Sequence, residues 1–372
     1  MFHLIFGVPW LIVAARFILP LPWSWALKIA LAVVLLLVSQ YHLFSRLSSG
    51  SVFSPEFPRP LILAFNLLLG AMLMLAVFQL VLDAVSLVLL AIKGSFPVVP
   101  AGVRYAIGGL ALALSAFGVS QAILVPQTKD IQVTIPGLPA AFDGYQLVQL
   151  TDLHISRLFP ARWAQQLVER TNALDADLIV VTGDLIDGNI ESRSADVAPL
   201  SGLRARDGVL AIPGNHEYFF GYEAWMRYFQ GLNMQILANG HAVIARGGES
   251  LVIAGVTDHS AARTGMPAPD VRAALAGAPE GAPVILLDHQ PRNAVDASTT
   301  RVALQLSGHT HGGMVLGLDR LVANANNGFV SGFYRVGAMQ LYVNNGTALW
   351  PGFALRLGRP SELTRITLRS SR

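Results

Sequence analysis

The chain has no cysteine and few charges: Asp, Glu, Lys and Arg make up 13% of its 372 residues, about half the share of an ordinary soluble domain. The first absence excludes disulfides, thiolate metal sites and a cysteine nucleophile, so a metal here must be held by His, Asp, Glu or Asn. The second excludes a plain water-soluble globule. A basic domain able to grip nucleic acid is also missing, because the formal net charge is only +3 and its excess lies beside apolar runs. No nucleic-acid partner is expected.

The scarcity of charge is local. Residues 1–127 hold six basic side chains (Arg16, Lys28, Arg46, Arg59, Lys93, Arg104) and two acids (Glu56, Asp83), whereas residues 128–372 carry all the rest. Two physically different halves are joined, a transmembrane anchor over 1–127 and a polar domain over 128–372. In the first half, Leu4–Leu21, Trp25–Leu43, Leu61–Ile92 and Tyr105–Val125 are apolar runs with prolines between them. At 1.5 Å rise per residue each can cross a hydrocarbon core of about 30 Å, so four helices are expected, with the lipid bilayer as partner. The first run lacks the basic flank and cleavage site of a signal peptide. Four spans put both ends on one side together with Arg46 and Arg59. The small basic excess opposite (Arg16, Lys28, Lys93, Arg104) leans the polar half away from the cytoplasm. Asp83 is the one acid inside an apolar run, and its bland reading is an interfacial position on an over-long helix.

The polar half has an α/β rhythm of short apolar runs ending in small polar clusters. The runs Tyr145–Leu150, Leu178–Val181, Val209–Ile212, Leu251–Gly255, Val284–Leu287 and Val302–Leu306 end in Asp152/His154, Asp184, Asn215/His216, Asp258, His289 and His309/His311. Pro160–Leu174 and Tyr222–Gly231 read as covering helices. Ligands of open α/β sheets bind beyond the carboxyl ends of strands, which makes these tips the expected site. Residues at i and i+2 of a strand end point the same way, so Asp152 with His154, and His309 with His311, form pincers. Asp152, His154, Asp184, Asn215, His289, His309 and His311 are too many for one ion, but two divalent ions sharing a carboxylate would use all seven. Such two-metal sites, about 3.5–4 Å between ions, clamp phosphoryl oxygens and activate water.

The set Asp152-Leu-His154, Gly183-Asp184-Leu-Ile-Asp187-Gly188, Gly214-Asn215-His216-Glu217, His289 and Gly308-His309-Thr310-His311-Gly312 resembles the calcineurin-like metallophosphoesterases over residues 135–370. With its apolar anchor it looks like the bacterial membrane-tethered branch, related to the transmembrane proteins with a metallophosphoesterase domain. The resemblance implies a four-layer α/β/β/α sandwich and a multi-pass protein of the bacterial cytoplasmic (inner) membrane. It implies that Asp152, His154, Asp184 and His311 hold one metal, and that Asp184 bridges to a second completed by Asn215, His289 and His309. Catalytic roles fall to Asp184 and to His216, the latter as acid to the leaving oxygen or, alternatively, as an outer hydrogen-bonding group. The metals would be manganese, iron or zinc.

The expected activity is hydrolysis of a phosphodiester or pyrophosphate bond in a membrane-proximal, lipid-linked substrate such as UDP-2,3-diacylglucosamine, a step of lipid A biosynthesis. The alternative is a non-catalytic membrane sensor or scaffold that binds phosphorylated ligands through the metal domain. Asp187 is expected to support the metal loop, Asp258 and His259 to be structural, and His241 to lie in a surface turn. Tyr218, Phe219, Phe220, Tyr222, Trp225, Tyr228 and Phe229 read either as a helix stripe packed in the core or as a lid for acyl chains.

Overall fold

The computed structural model describes residues 2–371. The chain forms two compact units, Met1–Ala122 with Pro351–Leu357, and Ile123–Trp350 with Gly358–Arg372.

The first unit is helical. Helix α1 (Phe2–Ile12) passes into a π-helical stretch, Val13–Ile18. It is followed by α2 (Trp25–Ser39), α3 (Tyr41–Ser49), α4 (Arg59–Lys93) and α5 (Ala101–Ala122). Ser24 starts α2 by accepting a hydrogen bond from the Leu27 N–H, which satisfies one of the free amides of a helix start. All four apolar runs are therefore helical, but among the described residues only α4 and α5 are each long and apolar enough to cross a bilayer. Helices α2 and α3 add a third span if the pair, bent by 49°, is counted as one, and Leu4–Ile18 is a shorter apolar helix.

The polar breaks in the apolar runs have local partners. Asn66 on α4 donates Nδ2 to the Pro351 carbonyl (2.9 Å) and accepts from the Ala354 N–H at Oδ1 (2.6 Å). Tyr41 donates its hydroxyl to the same Pro351 carbonyl (3.0 Å). These bonds satisfy the backbone of a buried irregular segment, which would otherwise leave unpaired groups in an apolar surround. Asp83 forms an ion pair with Arg16 (3.0 Å).

The second unit is α/β. Its strands are β1 (Thr128–Ile135), β2 (Gln146–Leu150), β3 (Leu178–Thr182), β4 (Val209–Ile212), β5 (Met234–Ile236) and β6 (Gly240–Arg246), then β7 (Glu249–Gly255), β8 (Val284–Leu287), β9 (Val302–Ser307), β10 (Gly332–Val336), β11 (Met339–Val343) and β12 (Leu363–Ser370). Two six-stranded mixed sheets result, in the orders β1-β12-β2-β3-β4-β5 and β10-β11-β9-β8-β7-β6. Strands β2 to β5 run parallel, as do β7, β8, β9 and β11.

One core joins the sheets. It takes Leu147, Leu178, Val180, Leu210 and Ile212 from the first and Leu251, Ile253, Ile285, Leu287, Leu304 and Leu306 from the second. The alternate residues of the second sheet, such as Val252, Ala254 and Leu286, pack away from it with Ala274, Ala294 and Ala297. Side chains alternate along a strand. Strands buried on both faces therefore read as unbroken apolar runs, which is how β3 (Leu178–Thr182) and β8 (Val284–Leu287) read. Helices α6 (Ala161–Asn172), α7 (Ile190–Val197), α8 (Asn215–Phe219) and α9 (Tyr222–Gly231) complete the first half of the unit. Trp163, Leu167 and Val168 form the buried stripe of α6.

Candidate metal centre

The seven donors expected from sequence come together. Asp152 and His154 follow β2, Asp184 follows β3 and Asn215 opens α8 after β4. His289 follows β8, and His309 and His311 follow β9. Both sheets contribute. Five of the seven sit where the backbone turns left-handed, with φ of 53° at Asp152, 42° at His154, 55° at Asp184, 68° at His309 and 50° at His311. Non-glycine residues in that region each carry about 1–3 kcal/mol of strain, which concentrates at functional sites. Here the sharp bends fold each loop back so that its polar side chains meet over the strand ends.

The donor atoms are crowded. His154 Nε2 lies 3.3 Å from His311 Nε2, His311 Nε2 lies 3.6 Å from Asp152 Oδ1, and His154 Nε2 lies 3.9 Å from Asp184 Oδ2. On the other side of Asp184, His289 Nε2 is 3.2 Å from Asp184 Oδ2 and 3.2 Å from Asn215 Oδ1. The His309 ring packs edge-on to His289 at 5.1 Å. The compatible groups are Asp152 with His154 and His311, Asp184 with His289 and His309, and His154 with Asp184 and His216. Asp184 belongs to two of these groups. Two buried imidazole nitrogens 3.3 Å apart beside three carboxylates are poorly satisfied by one another, and cations between them relieve both problems. The residues present fit divalent metal ions, and imidazole with carboxylate suits manganese, iron or zinc.

Charge within the centre is polarised. Burial would raise the Asp184 carboxyl, but His289 and His216 outweigh it and hold it well below the usual range. Burial lifts Asp152, against the pull of His289. For His216 burial acts downward, and the carboxylates of Asp184 and Asp187 overcome it, raising the imidazole to about 9. Burial and the neighbouring His289 lower His309 to about 4.

Two acids outside the expected donor set organise it. Asp187 Oδ1 meets Nδ1 of both His154 (3.3 Å) and His216. That contact fixes the proton on each Nδ1 and leaves each Nε2 facing the centre, the usual job of a carboxylate behind a metal-binding histidine. Glu217, fully buried, accepts from three backbone amides: Gly214 (2.7 Å) and Asp184 (3.1 Å) at Oε2, and Leu185 (2.7 Å) at Oε1. Its bond to Gly214 is the back-reaching half of a capping box at the start of α8. The same carboxylate thus ties the Asp184 loop to the Asn215 loop.

Glycines let the loops approach. A methyl on Gly214 would overlap the Asp184 carboxylate, and one on Gly308 would overlap Asp152 Oδ2 and Thr151 Oγ1. In Gly308→Ala, Asp152 must move away from its bonds to the His309 N–H, both 3.1 Å. We expect metal affinity to fall about 10–100-fold, as for other disturbed supporting shells. Metal titration by calorimetry checks this, and unchanged affinity would show that Asp152 is not a ligand.

Other expectations fare unevenly. Tyr218, Trp225 and Phe229 of the aromatic segment are buried, whereas Phe219 is exposed beside His216 at 5.3 Å. His241 is not in a turn: it lies in β6, half-buried, with Nδ1 2.8 Å from the Ala274 carbonyl. The residue lengthens an edge strand that pairs with β7, and the preceding Gly240 was the misleading turn signal. Asp258 accepts from the Ser260 N–H and from Gln290 Nε2. The segment Asn344–Thr347 had no place in the sequence reading. The Thr347 N–H at its end and the next residue's Ala348 N–H bond the carbonyls of Thr151 and Asp152 (2.8 and 3.0 Å) and brace the first metal loop. It follows the apolar Leu341–Val343, and that same strand-then-polar pattern was the available signal.

The calcineurin-like phosphoesterase family matches residues 145–313. An uncharacterized metallophosphoesterase of Helicobacter pylori is 32% identical over 265 residues, covering 70% of this chain and 69% of that one. This chain belongs to the calcineurin-like metallophosphoesterases. A zebrafish (Danio rerio) transmembrane protein with metallophosphoesterase domain is also 32% identical, over 267 residues and 69% of this chain, and this chain spans 61% of that relative's length. Among solved structures, a 5'-nucleotidase precursor from Thermus thermophilus matches with a TM-score of 0.40 and 16% identity, over 60% of this chain and 54% of that one. Membership makes this metallophosphoesterase's donor cluster that of a metal-dependent phosphoester hydrolase domain. Separately, helices of the chain are apolar enough to suggest membrane association.

Proposed function

We propose that this chain is a membrane-anchored phosphoesterase with a two-metal centre, cleaving a phosphodiester or pyrophosphate bond. The convergence of Asp152, His154, Asp184, Asn215, His289, His309 and His311 around the shared Asp184 carries the reading. Asp152, His154, Asp184 and His311 would hold one ion, and Asp184, Asn215, His289 and His309 the other. Divalent cations held there supply Lewis acidity, which acidifies water and neutralises phosphoryl oxygens. The chain's own contribution is orientation. Asp187 holds His216 by Nδ1, so Nε2 is the atom that can hand a proton to a departing oxygen.

The division near residue 127, the four-layer α/β/β/α arrangement and the four-span anchor belong to the same proposal, with the catalytic half on the outer side of a bacterial inner membrane. Anchoring raises the effective concentration of membrane-bound substrate, which favours a lipid-linked phosphoester such as UDP-2,3-diacylglucosamine. The exposed Phe219 at the edge of the centre suits such a substrate. Lipid extracts of cells lacking the protein should accumulate the phosphorylated lipid.

The direct test is hydrolysis of bis-p-nitrophenyl phosphate by the full chain with added manganese. Wild type should turn over, and His216→Ala should lose about 10²–10⁴-fold in kcat, the range for an acid–base group, with metal content unchanged. A metal-loaded protein with no turnover on phosphodiesters or pyrophosphates would instead favour the non-catalytic sensor.

A further inference from the structure

The helical unit holds a cluster of charges that phosphoester chemistry does not use. Arg16, on the π-helical stretch, donates Nε and a terminal nitrogen to the two carboxylate oxygens of Asp83 (3.2 and 3.0 Å). Gln79, one turn earlier on α4, donates to Asp83 Oδ1 (2.8 Å). Arg104, near the start of α5, donates to the Arg16 carbonyl (2.9 Å) and to Gln79 Oε1 (3.4 Å). It is 9% exposed, and among the described residues it forms no ion pair. The unit has only one other acid, Glu56. The cluster therefore contains two guanidinium groups and one carboxylate, already engaged on both oxygens, so one positive charge is left over. Beside it is a cavity of about 290 Å³, lined by Arg16, Gln79, Asp83, Ser86, Phe96 and Arg104.

Depth follows from the register of α4 and α5. Ser115 bonds the Leu67 carbonyl, and Arg104 bonds Gln79. The helices are antiparallel, and the start of α5 lies level with about Leu82. The stretch they share, from the start of α4 to that level, is about 36 Å long at 1.5 Å per residue, slightly more than a hydrocarbon core of about 30 Å. The cavity sits at one end of that stretch. Beyond it α4 continues to Lys93, with Leu87, Val88 and Ile92 exposed. A surplus guanidinium withdrawn from water is costly without an anion. Its planar fork matches phosphate oxygens, and the exposed apolar side chains nearby suit acyl chains.

We propose that this cavity holds the phosphate of an anionic lipid headgroup, with Arg104 as its chief contact and the Arg16–Asp83 pair in its lining. The proposal rests on α4 and α5 spanning a bilayer, and it is independent of hydrolysis. The experiment uses the full chain reconstituted in vesicles of phosphatidylcholine, with or without phosphatidylglycerol, then extracted in mild detergent for native mass spectrometry of retained lipid and for thermal unfolding. Wild type should keep phosphatidylglycerol in preference to phosphatidylcholine and unfold at higher temperature with it. Arg104→Gln should retain about fivefold less, as expected for loss of one basic contact worth about 1 kcal/mol. Ser86→Trp, which fills the cavity and keeps both arginines, should lose the preference too. Lys93→Gln removes a charge from the same end of α4 outside the cavity and should retain the lipid.

Equal retention of the two lipids by wild type, or losses in Arg104→Gln no larger than in Lys93→Gln, would overturn the site. Stabilisation by millimolar inorganic phosphate in detergent equal to that by phosphatidylglycerol would overturn the lipid as the source of the anion. Resistance of the reconstituted protein to alkaline extraction is scored in parallel, so a failed site is distinguished from a failed span.

Discussion

Asp184→Asn is expected to empty the centre of metal and to lower turnover by about three orders of magnitude, near 4 kcal/mol of transition-state stabilisation. The substitution preserves shape, and Oδ1 can still accept from the His216 N–H (2.9 Å). What changes is the other position. Oδ2 lies 3.2 Å from His289 Nε2 and 3.9 Å from both His154 Nε2 and His216 Nε2, and an amide nitrogen there presents donors where a shared acceptor is required. The lost negative charge also relaxes its partners, since Asp184 leads the pull that lifts His216 and His289 against burial. Metal analysis by plasma mass spectrometry, with kcat on bis-p-nitrophenyl phosphate, checks the result. A variant that keeps two ions per chain would refute the bridging role.

The second large effect is on stability. In Glu217→Ala the N–H groups of Gly214, Asp184 and Leu185 lose their acceptor in a site closed to water. Each orphaned buried donor costs about 1–3 kcal/mol. The sum is about 3 kcal/mol or more, which lowers Tm by roughly 6–12 °C in a domain of this size. Glu217→Gln should fall between: its oxygen can take the two bonds of Oε2, but its NH₂ then opposes the Leu185 N–H. Thermal unfolding of the metal-free proteins separates the variants without reference to activity. Equal Tm in Glu217→Ala and wild type would show that the two loops hold their form without the clamp.

The sequence was most legible where strands are buried on both faces. Leu178–Val181 and Val284–Leu287 are continuous apolar runs, and each ends on a donor that can be read directly. Strands β1 and β12 gave no such signal, because they pair with each other at the outer side of the first sheet and mix buried with half-buried positions, and in β1 with exposed ones. Charged residues such as Lys129, Asp130 and Arg365 also interrupt the apolar pattern there. The donor set was readable because each ligand lies within four residues of a strand end. The clamp was not, because Glu217 is visible in the motif but its partners lie on another loop. Asp83 was conspicuous as an acid in an apolar run, whereas its partner Arg16 lies 67 positions away and only the packing of helices joins them.

The bonds from Tyr41 and Asn66 to Pro351 and Ala354 have a practical meaning for anyone dissecting this protein. A fragment beginning at residue 128 keeps the stretch Pro351–Leu357 yet discards the side chains that answer its carbonyl and amide, and it exposes Phe353, Ala354 and Leu355 to water. Cutting at the boundary suggested by composition is therefore not a neutral truncation. A fragment that clumps in solution would be reporting a severed loop rather than a defective enzyme.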